Sequence, residues 1–387
     1  MAIIESANSE ITRRQICTMG LRALILMAAG HFASTGCSNQ ANMPQARLLA
    51  TRETAGPPLR ILAERAGIKI GAAVAPECLD ETAYAETLGR EFNQLVPENQ
   101  LKWEHVHPTE DGYNFAPADR IVAFAESHGI QVRGHALVWH NQVPPWLTAR
   151  RWGRRELIAI LEDHIDTVVS HYAGRIQCWD VVNEVIDDCW LGFLGCGLRP
   201  TFWREMIGDD YITRAFTLAH TADPGAKLFI NDYSAEEINA KSNALYALVR
   251  DLKMRGVPID GVGFQLHLRQ AQGFDFDSFE QNLQRFIALG VEIHFTEVDV
   301  AIAGEVNQEK LEQQAVIYQR LMMIARRYPQ VTAFLTWGVT DKYSWLPWFA
   351  REVMHSTQPY GCGLLFDEQY RPKPAYFALR EALQNPV

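Results

Sequence analysis

A single (β/α)8 barrel is the fold that this 387-residue sequence predicts, and three observations lead to it. From about residue 58 a short apolar, β-branched run is followed by a longer amphipathic segment, and this pair recurs eight times. Alternating strands and helices of that kind build a parallel sheet, and eight such units argue for closing it into a barrel. No strand leads into a Gly-rich dinucleotide fingerprint, which disfavours a doubly wound open sheet.

The predicted strands are residues 68–74, 92–96, 131–138, 177–182, 227–231, 261–266, 292–296 and 333–337. Residues 117–128 and 308–327 carry the helical period between strands. Residues 1–37 read as an export signal, 38–57 as a linker and 58–387 as the barrel domain. The signal pairs Arg13 with Arg14 ahead of an apolar stretch at 23–29 that is too short to span a bilayer, a twin-arginine pattern. Its small residues before Cys37 suit either a lipoprotein site, with a lipid anchor on Cys37, or an ordinary cleavage region; Ser34 stands where lipoprotein sites usually carry Leu. The expected location is periplasmic, outer-membrane-anchored or extracellular. No other stretch is long and apolar enough for a membrane span. The net charge of −10 repels phosphate backbones and argues against nucleic acid as a partner.

Of seven cysteines, Cys189 and Cys196 lie close together in the stretch DDCWLGFLGCG, a spacing that suits a small disulfide loop in an exported protein. Zinc is the competitor there, but no third or fourth ligand lies nearby. Cys178, in an apolar run, reads as a buried thiol.

A barrel of this kind carries its site at the C-terminal ends of the strands. Polar, charged and aromatic residues gather where each apolar run stops: PENQLKWE after strand two, GHALVWH after three, VVNEV after four, NDY after five, QLHL after six, TEVDV after seven and TWGVTDKYSW after eight. Glu184 ends strand four and Glu297 ends strand seven. Those strands stand three apart in a ring of eight, so the two carboxyls face each other across the barrel mouth. One can protonate a leaving oxygen while the other attacks or activates water, the requirement of glycoside hydrolysis. That chemistry needs no metal and no cofactor. His105 and His107 form an H-x-H pair that mimics a metal motif, but they belong to the loop after strand two.

These segments resemble glycoside hydrolase family 10, a xylanase family. WDVVNE at 179–184 and TEVDV at 296–300 match its two catalytic signatures; PENQLKW at 97–103, RGHALVWH at 133–140, INDY at 230–233 and TWGVTDKYSW at 336–345 match the rest. The match is collinear over about residues 58–383. It implies an endo-1,4-β-xylanase acting on xylan and xylo-oligosaccharides, with retention through a covalent glycosyl-enzyme. Glu297 would be the nucleophile and Glu184 the acid/base, their carboxyls about 5 Å apart. Glu297 is expected to raise the pKa of Glu184, since neighbouring carboxylates resist double ionisation.

The resemblance further implies that Asn183 bonds the 2-hydroxyl of the reacting sugar and that His267 orients the nucleophile. His135, Lys102 and Gln265 would line the cleavage subsite. Glu98, Asn99 and Gln142 would hold the next sugar on the non-reducing side. Trp139, Trp337 and Trp345 would form aromatic walls, and Tyr233 would face the leaving group. His140 fits a structural or a ligand-contacting role equally, and Trp103 reads as core. Three departures stand out: Leu101 where the family usually has Met, the cysteine-bearing stretch 187–198 after strand four, and the long loop 341–361 after strand eight, which carries Trp345, Trp348 and Phe349. A glucanase or mannanase of the same clan shares the two glutamates and Asn183, and ENQLKW and WGVTDKYSW favour xylan over those. A monomer is expected.

Overall fold

The computed structural model describes residues 56–188 and 196–385. Its centre is a closed parallel barrel: β1 (Lys69–Val74), β2 (Gln94–Pro97), β3 (Gln131–Val138), β4 (Cys178–Asn183), β5 (Lys227–Asp232), β6 (Gly261–Phe264), β7 (Glu292–Ala303) and β8 (Val331–Thr336). Each strand pairs with the next, and β8 returns to β1, with Lys69 opposite Ala333 and Gly71 opposite Leu335. A main helix follows each strand: α1 (Thr82–Glu91), α2 (Ala116–Ser127), α3 (Arg154–His171), α4 (Tyr211–Ala222), α5 (Ala240–Met254), α6 (Phe276–Ile287), α7 (Gln308–Arg327) and α8 (Pro374–Gln384). None of the described helices is long and apolar enough to cross a membrane.

Local chemistry accounts for the helix starts. Asp275 accepts the Ser278 N–H at the start of α6, and Phe276, Phe279, Leu283 and Phe286 then fall on one buried face. Asn239 and Ser242 cap α5 reciprocally, and Asn307 caps α7 through Lys310 N. An additional helix, Leu59–Arg65, closes the barrel's N-terminal side, where Glu91 Oε2 accepts from Leu59 N at 2.9 Å and Tyr376 Oη at 3.1 Å.

All eight predicted strands are present, and one differs clearly in extent. β7 runs to Ala303 rather than to residue 296. Its outer half, with Val298, Val300 and Ile302 buried, rises past the barrel rim. Two short strands pair with it there, His267–Arg269 in parallel and Tyr360–Gly361 antiparallel. The extension is the ledge on which the loops after β6 and β8 are laid.

The barrel interior is partly ionic. Lys227 pairs with Glu292, whose Oε1 lies 3.2 Å from His294 Nε2; His294 Nδ1 lies 2.6 Å from Arg133 Nη1. Arg133 forks onto Asp180, and Asp180 Oδ2 lies 3.0 Å from His135 Nδ1. Arg133 is fully buried and Asp180 nearly so. Burial pushes His294 down to about 4, so its neutral ring accepts from Arg133 at Nδ1. A polar pillar therefore runs from the barrel floor to His135.

Candidate active site

β4 and β5 are in register at Asn183 opposite Asn231, and this pairing organises the two glutamates. Asn231 Nδ2 donates to Asn183 Oδ1 at 2.8 Å and to Glu297 Oε1 at 2.7 Å. Asn183 Nδ2 in turn donates to Glu184 Oε1 at 3.2 Å. Two amides thus bridge Glu184 and Glu297 across the barrel mouth. Thr296 Oγ1 fixes Asn231 by donating to its Oδ1 at 2.7 Å. The Asn231 side chain fits because β6 carries glycine beside it: a Cβ on Gly263 would lie 2.2 Å from Asn231 Oδ1.

Glu297 has a second partner in His267, Nε2 to Oε2 at 3.2 Å, while His267 Nδ1 faces Asp299 Oδ2 at 3.0 Å. Burial alone would lower the His267 pKa, but Asp299 and Glu297 outweigh it and lift it to about 10. An imidazolium clamped between carboxylates therefore presents a charged donor to Glu297. Trp345 Nε1 also donates to Asp299 Oδ2, at 2.8 Å, and its ring packs 4.9 Å from that of His267. Asp299 Oδ1 is buried without a hydrogen-bond partner, so its carboxylate is held through one oxygen.

Glu184 accepts from Gln265 Nε2 at 3.2 Å, and His140 Nε2 lies 3.9 Å from its other oxygen. The expectation that Glu184 stands above its ordinary pKa is overturned. Burial raises it, but the His140 ring, the Trp139 indole, the Gln265 amide and the Arg199 charge together hold it below the ordinary value. Trp139 Nε1 is buried and acts on Glu184 without completing a hydrogen bond of good geometry. His140 is itself pushed down to about 4 by burial and is neutral above that, so near neutral pH Gln265, Trp139 and Arg199 do the holding.

The other predicted residues surround this pair. Lys102 Nζ donates to Asn99 Oδ1 at 3.0 Å, which also accepts from Gln142 Nε2 at 3.2 Å. Lys102 lies 4.7 Å from the Trp139 ring centre and 5.9 Å from that of Trp337. Burial lowers Lys102 and raises Glu98, each partly offset by attraction between them. His135 sits edge-on to Trp337 with ring centres 5.3 Å apart. Tyr233 is set apart on the β5 side, bonded to Asp188 and Arg199 and lying under Lys241. Trp103 is core, as expected, its Nε1 donating to Leu137 O at 2.7 Å. His107 is buried against His164, with Nδ1 atoms 3.2 Å apart. Cys189 lies outside the described residues.

Asn231, Asp299 and Arg199 belong to the site although nothing local in the sequence singles them out, and His140, which by sequence fits either role, lies beside Glu184. Asn231 and Asp299 sit inside quoted motifs, and the β4–β5 register would have exposed Asn231.

Comparison with known proteins agrees with this geometry. The family profile described as Glycosyl hydrolase family 10 matches residues 58–382. An endo-1,4-beta-xylanase B from Thermotoga neapolitana is 44% identical over 371 residues, covering 95% of this chain and 98% of the relative. A solved xylanase 10B from Thermotoga petrophila RKU-1, in complex with xylobiose, superposes with a TM-score of 0.80 at 46% identity, covering 85% of this chain and 98% of that one. A protein called exoglucanase XynX, from Acetivibrio thermocellus, is 40% identical over 81% of this chain and 28% of its own length. The chain belongs to glycosyl hydrolase family 10.

Proposed function

We propose that this chain is an endo-1,4-β-xylanase that cleaves β-1,4-xylosidic bonds with retention. The observation that carries the reading is the pair Glu184 and Glu297, joined through Asn183 and Asn231 at one barrel mouth, with His267 holding Glu297. Glu297 attacks the anomeric carbon while Glu184 gives its proton to the departing oxygen. Water then opens the glycosyl ester with Glu184 as base. Glu184 stands low in pKa as described, so the acid form has to arise as the complex forms. A bound glycan excludes water from Glu184, and the desolvated carboxylate takes up a proton more readily.

Lys102, Asn99, Gln142, Glu98, His135 and Gln265 form the polar wall for the non-reducing side, with Trp139, Trp337 and Trp345 as the apolar one. Trp337 and Trp345 crowd the edge where glucose carries a hydroxymethyl and xylose only hydrogen. Overpacking costs about 1–3 kcal/mol per crowded subsite, roughly tenfold in kcat/KM. A β-1,4-glucanase is the second reading, favoured by the name of the Acetivibrio relative. Aryl xylobioside and cellobioside in parallel decide between them, and equal kcat/KM values would sink the steric account. Nuclear magnetic resonance of fresh product tests retention: the β-anomer should appear first, and an initial α-anomer would overturn Glu297 as nucleophile. Azide should rescue Glu184→Ala on substrates with good leaving groups.

The export reading of residues 1–37, the linker at 38–57 and the anchoring choice at Cys37 rest on the sequence pattern. A Cys189–Cys196 bridge is part of the same reading; its support is the short spacing in the sequence of an exported chain. Mass spectrometry of exported protein should find the two linked.

A further inference from the structure

Glu184 has φ of +56°, a left-handed backbone that an L-residue with a side chain adopts at a cost and keeps only where its surroundings enforce it. Gln142, Ser234 and Leu266, at or just past the ends of β3, β5 and β6, share that feature, so the site rim is strained at several strand ends. At Glu184 the enforcing contacts are two. Its N–H donates to Asn231 O at 2.7 Å, and its carbonyl accepts from Arg199 Nε at 2.9 Å.

Arg199 makes further contacts through both Nη atoms. Its Nη2 donates to Ile186 O at 3.0 Å and to Tyr233 Oη at 3.0 Å; Nη1 and Nη2 fork onto Asp188 at 3.0 and 2.9 Å. Its own N–H donates to Val185 O at 2.8 Å. Asp188 also accepts from Tyr233 Oη and from Lys241 Nζ at 3.4 Å, and Lys241 reaches Asp232 Oδ1 at 2.9 Å. Asp232 Oδ2 closes the circle by accepting from Ile186 N at 3.1 Å. One guanidinium therefore grips the main chain of Glu184, the Ile186 carbonyl, the Asp188 carboxylate and the tyrosine on the β5 side.

We infer that Arg199 is a positioning residue for the acid/base: it holds the left-handed Glu184 main chain and ties it to Tyr233, so that proton delivery and leaving-group placement share one support. The inference rests on the reading of Glu184 as acid/base. A loop-closing arginine would bond only carbonyls of the loop, whereas Arg199 binds the carbonyl of Glu184, the first residue past β4, together with the Tyr233 hydroxyl past the end of β5. The planar fork reaches five acceptor atoms, three of them sharing the two N–H of Nη2, a spread that a lysine's single ammonium cannot reproduce.

The test separates acid assistance from general damage. Wild type, Arg199→Met, Arg199→Lys and Glu184→Gln are compared on 2,4-dinitrophenyl and phenyl β-xylobiosides, per active site titrated with a 2-deoxy-2-fluoro inactivator. The dinitrophenolate departs without a proton and the phenolate needs one. Arg199→Met should lose about tenfold or more in kcat/KM on the phenyl substrate, part of what general acid catalysis supplies. It should lose less than about threefold on the dinitrophenyl substrate, a change too small to reflect the acid step. Arg199→Lys should recover only part of the difference, and it supplies the readout if the methionine variant does not fold. Equal losses on both substrates, or no loss on either, would overturn the inference. If Glu184→Gln itself shows no such split, the acid assignment falls and not the role of Arg199 alone.

Discussion

Replacing Asn231 with alanine should slow the second chemical step far more than the first. Asn231 Nδ2 donates to Glu297 Oε1 at 2.7 Å, and its other N–H reaches Asn183 Oδ1 at 2.8 Å. A hydrogen bond to a charged acceptor contributes about 1.5–3 kcal/mol. That donor favours the free carboxylate over the glycosyl ester, because the ester oxygen carries little charge. Its loss therefore does not oppose the attack of Glu297, which gives up charge, but it does oppose regeneration of the carboxylate when water opens the ester. At 1.36 kcal/mol per decade the deglycosylation rate should fall about 10- to 150-fold. On 2,4-dinitrophenyl xylobioside, stopped flow should show a burst of dinitrophenolate followed by a slow steady state, with kcat and KM falling together. The alanine also orphans Asn183 Oδ1 and the Thr296 hydroxyl, at about 1–3 kcal/mol each. Against a domain stability of about 5–15 kcal/mol that loss is substantial, so the variant is assayed at room temperature once circular dichroism shows it folded. If kcat and kcat/KM fall in parallel with no burst, or neither changes, Asn231 does not support Glu297 as described.

Gly263→Ala should have a related effect by a different route, since its Cβ would lie 2.2 Å from Asn231 Oδ1 and 2.8 Å from Thr296 Cγ2; activity should fall at least as far as in Asn231→Ala, and a Gly263→Ala enzyme with wild-type kcat would contradict the packing. Trp345→Phe keeps a ring but removes the donor to Asp299 Oδ2, so kcat should drop about tenfold through the His267–Glu297 contact, whereas a change in KM alone would make Trp345 only a sugar platform. Thermal stability should peak near pH 6.5. His140 and His294 are pushed down to about 4, so the unfolded chain binds more protons below pH 6.5 and stability is lost from there toward pH 4. His267 is lifted to about 10, so its contribution is complete below pH 6.5 and disappears as pH rises toward 10. Melting curves across that range check both limbs, and a midpoint that rises steadily with pH would refute the histidine account.

The barrel and its two glutamates were legible because they depend on periodicity and on where apolar runs stop. The extension of β7 was not, because Val298–Ile302 alternates around Asp299 in a stretch that reads first as a catalytic signature. The direction of the Glu184 pKa is hidden from the sequence for a similar reason. From sequence alone the facing Glu297 is the visible neighbour, while Gln265 and Arg199 arrive from 81 and 15 residues away with orientations that only packing sets. Asn231 needed the β4–β5 register, and His140 needed its distance to Glu184. Arg133 and Asp180 stand inside strands that otherwise read as apolar, and nothing local announces that they find each other.

The ionic pillar inside the barrel sets a limit on transplantation. Barrel enzymes are commonly imagined as a neutral drum whose chemistry can be exchanged by swapping the loops on top. Here His135 stands on Asp180 and Arg133, which lean on His294, Glu292 and finally Lys227 at the opposite opening. A rim grafted onto another drum would arrive without His135, which belongs to β3, and without the Asp180 and Arg133 that hold it. Installing a foreign rim here would leave a buried arginine and aspartate sealed beneath loops not shaped to receive them. The unit that can be moved is the staves together with the lip.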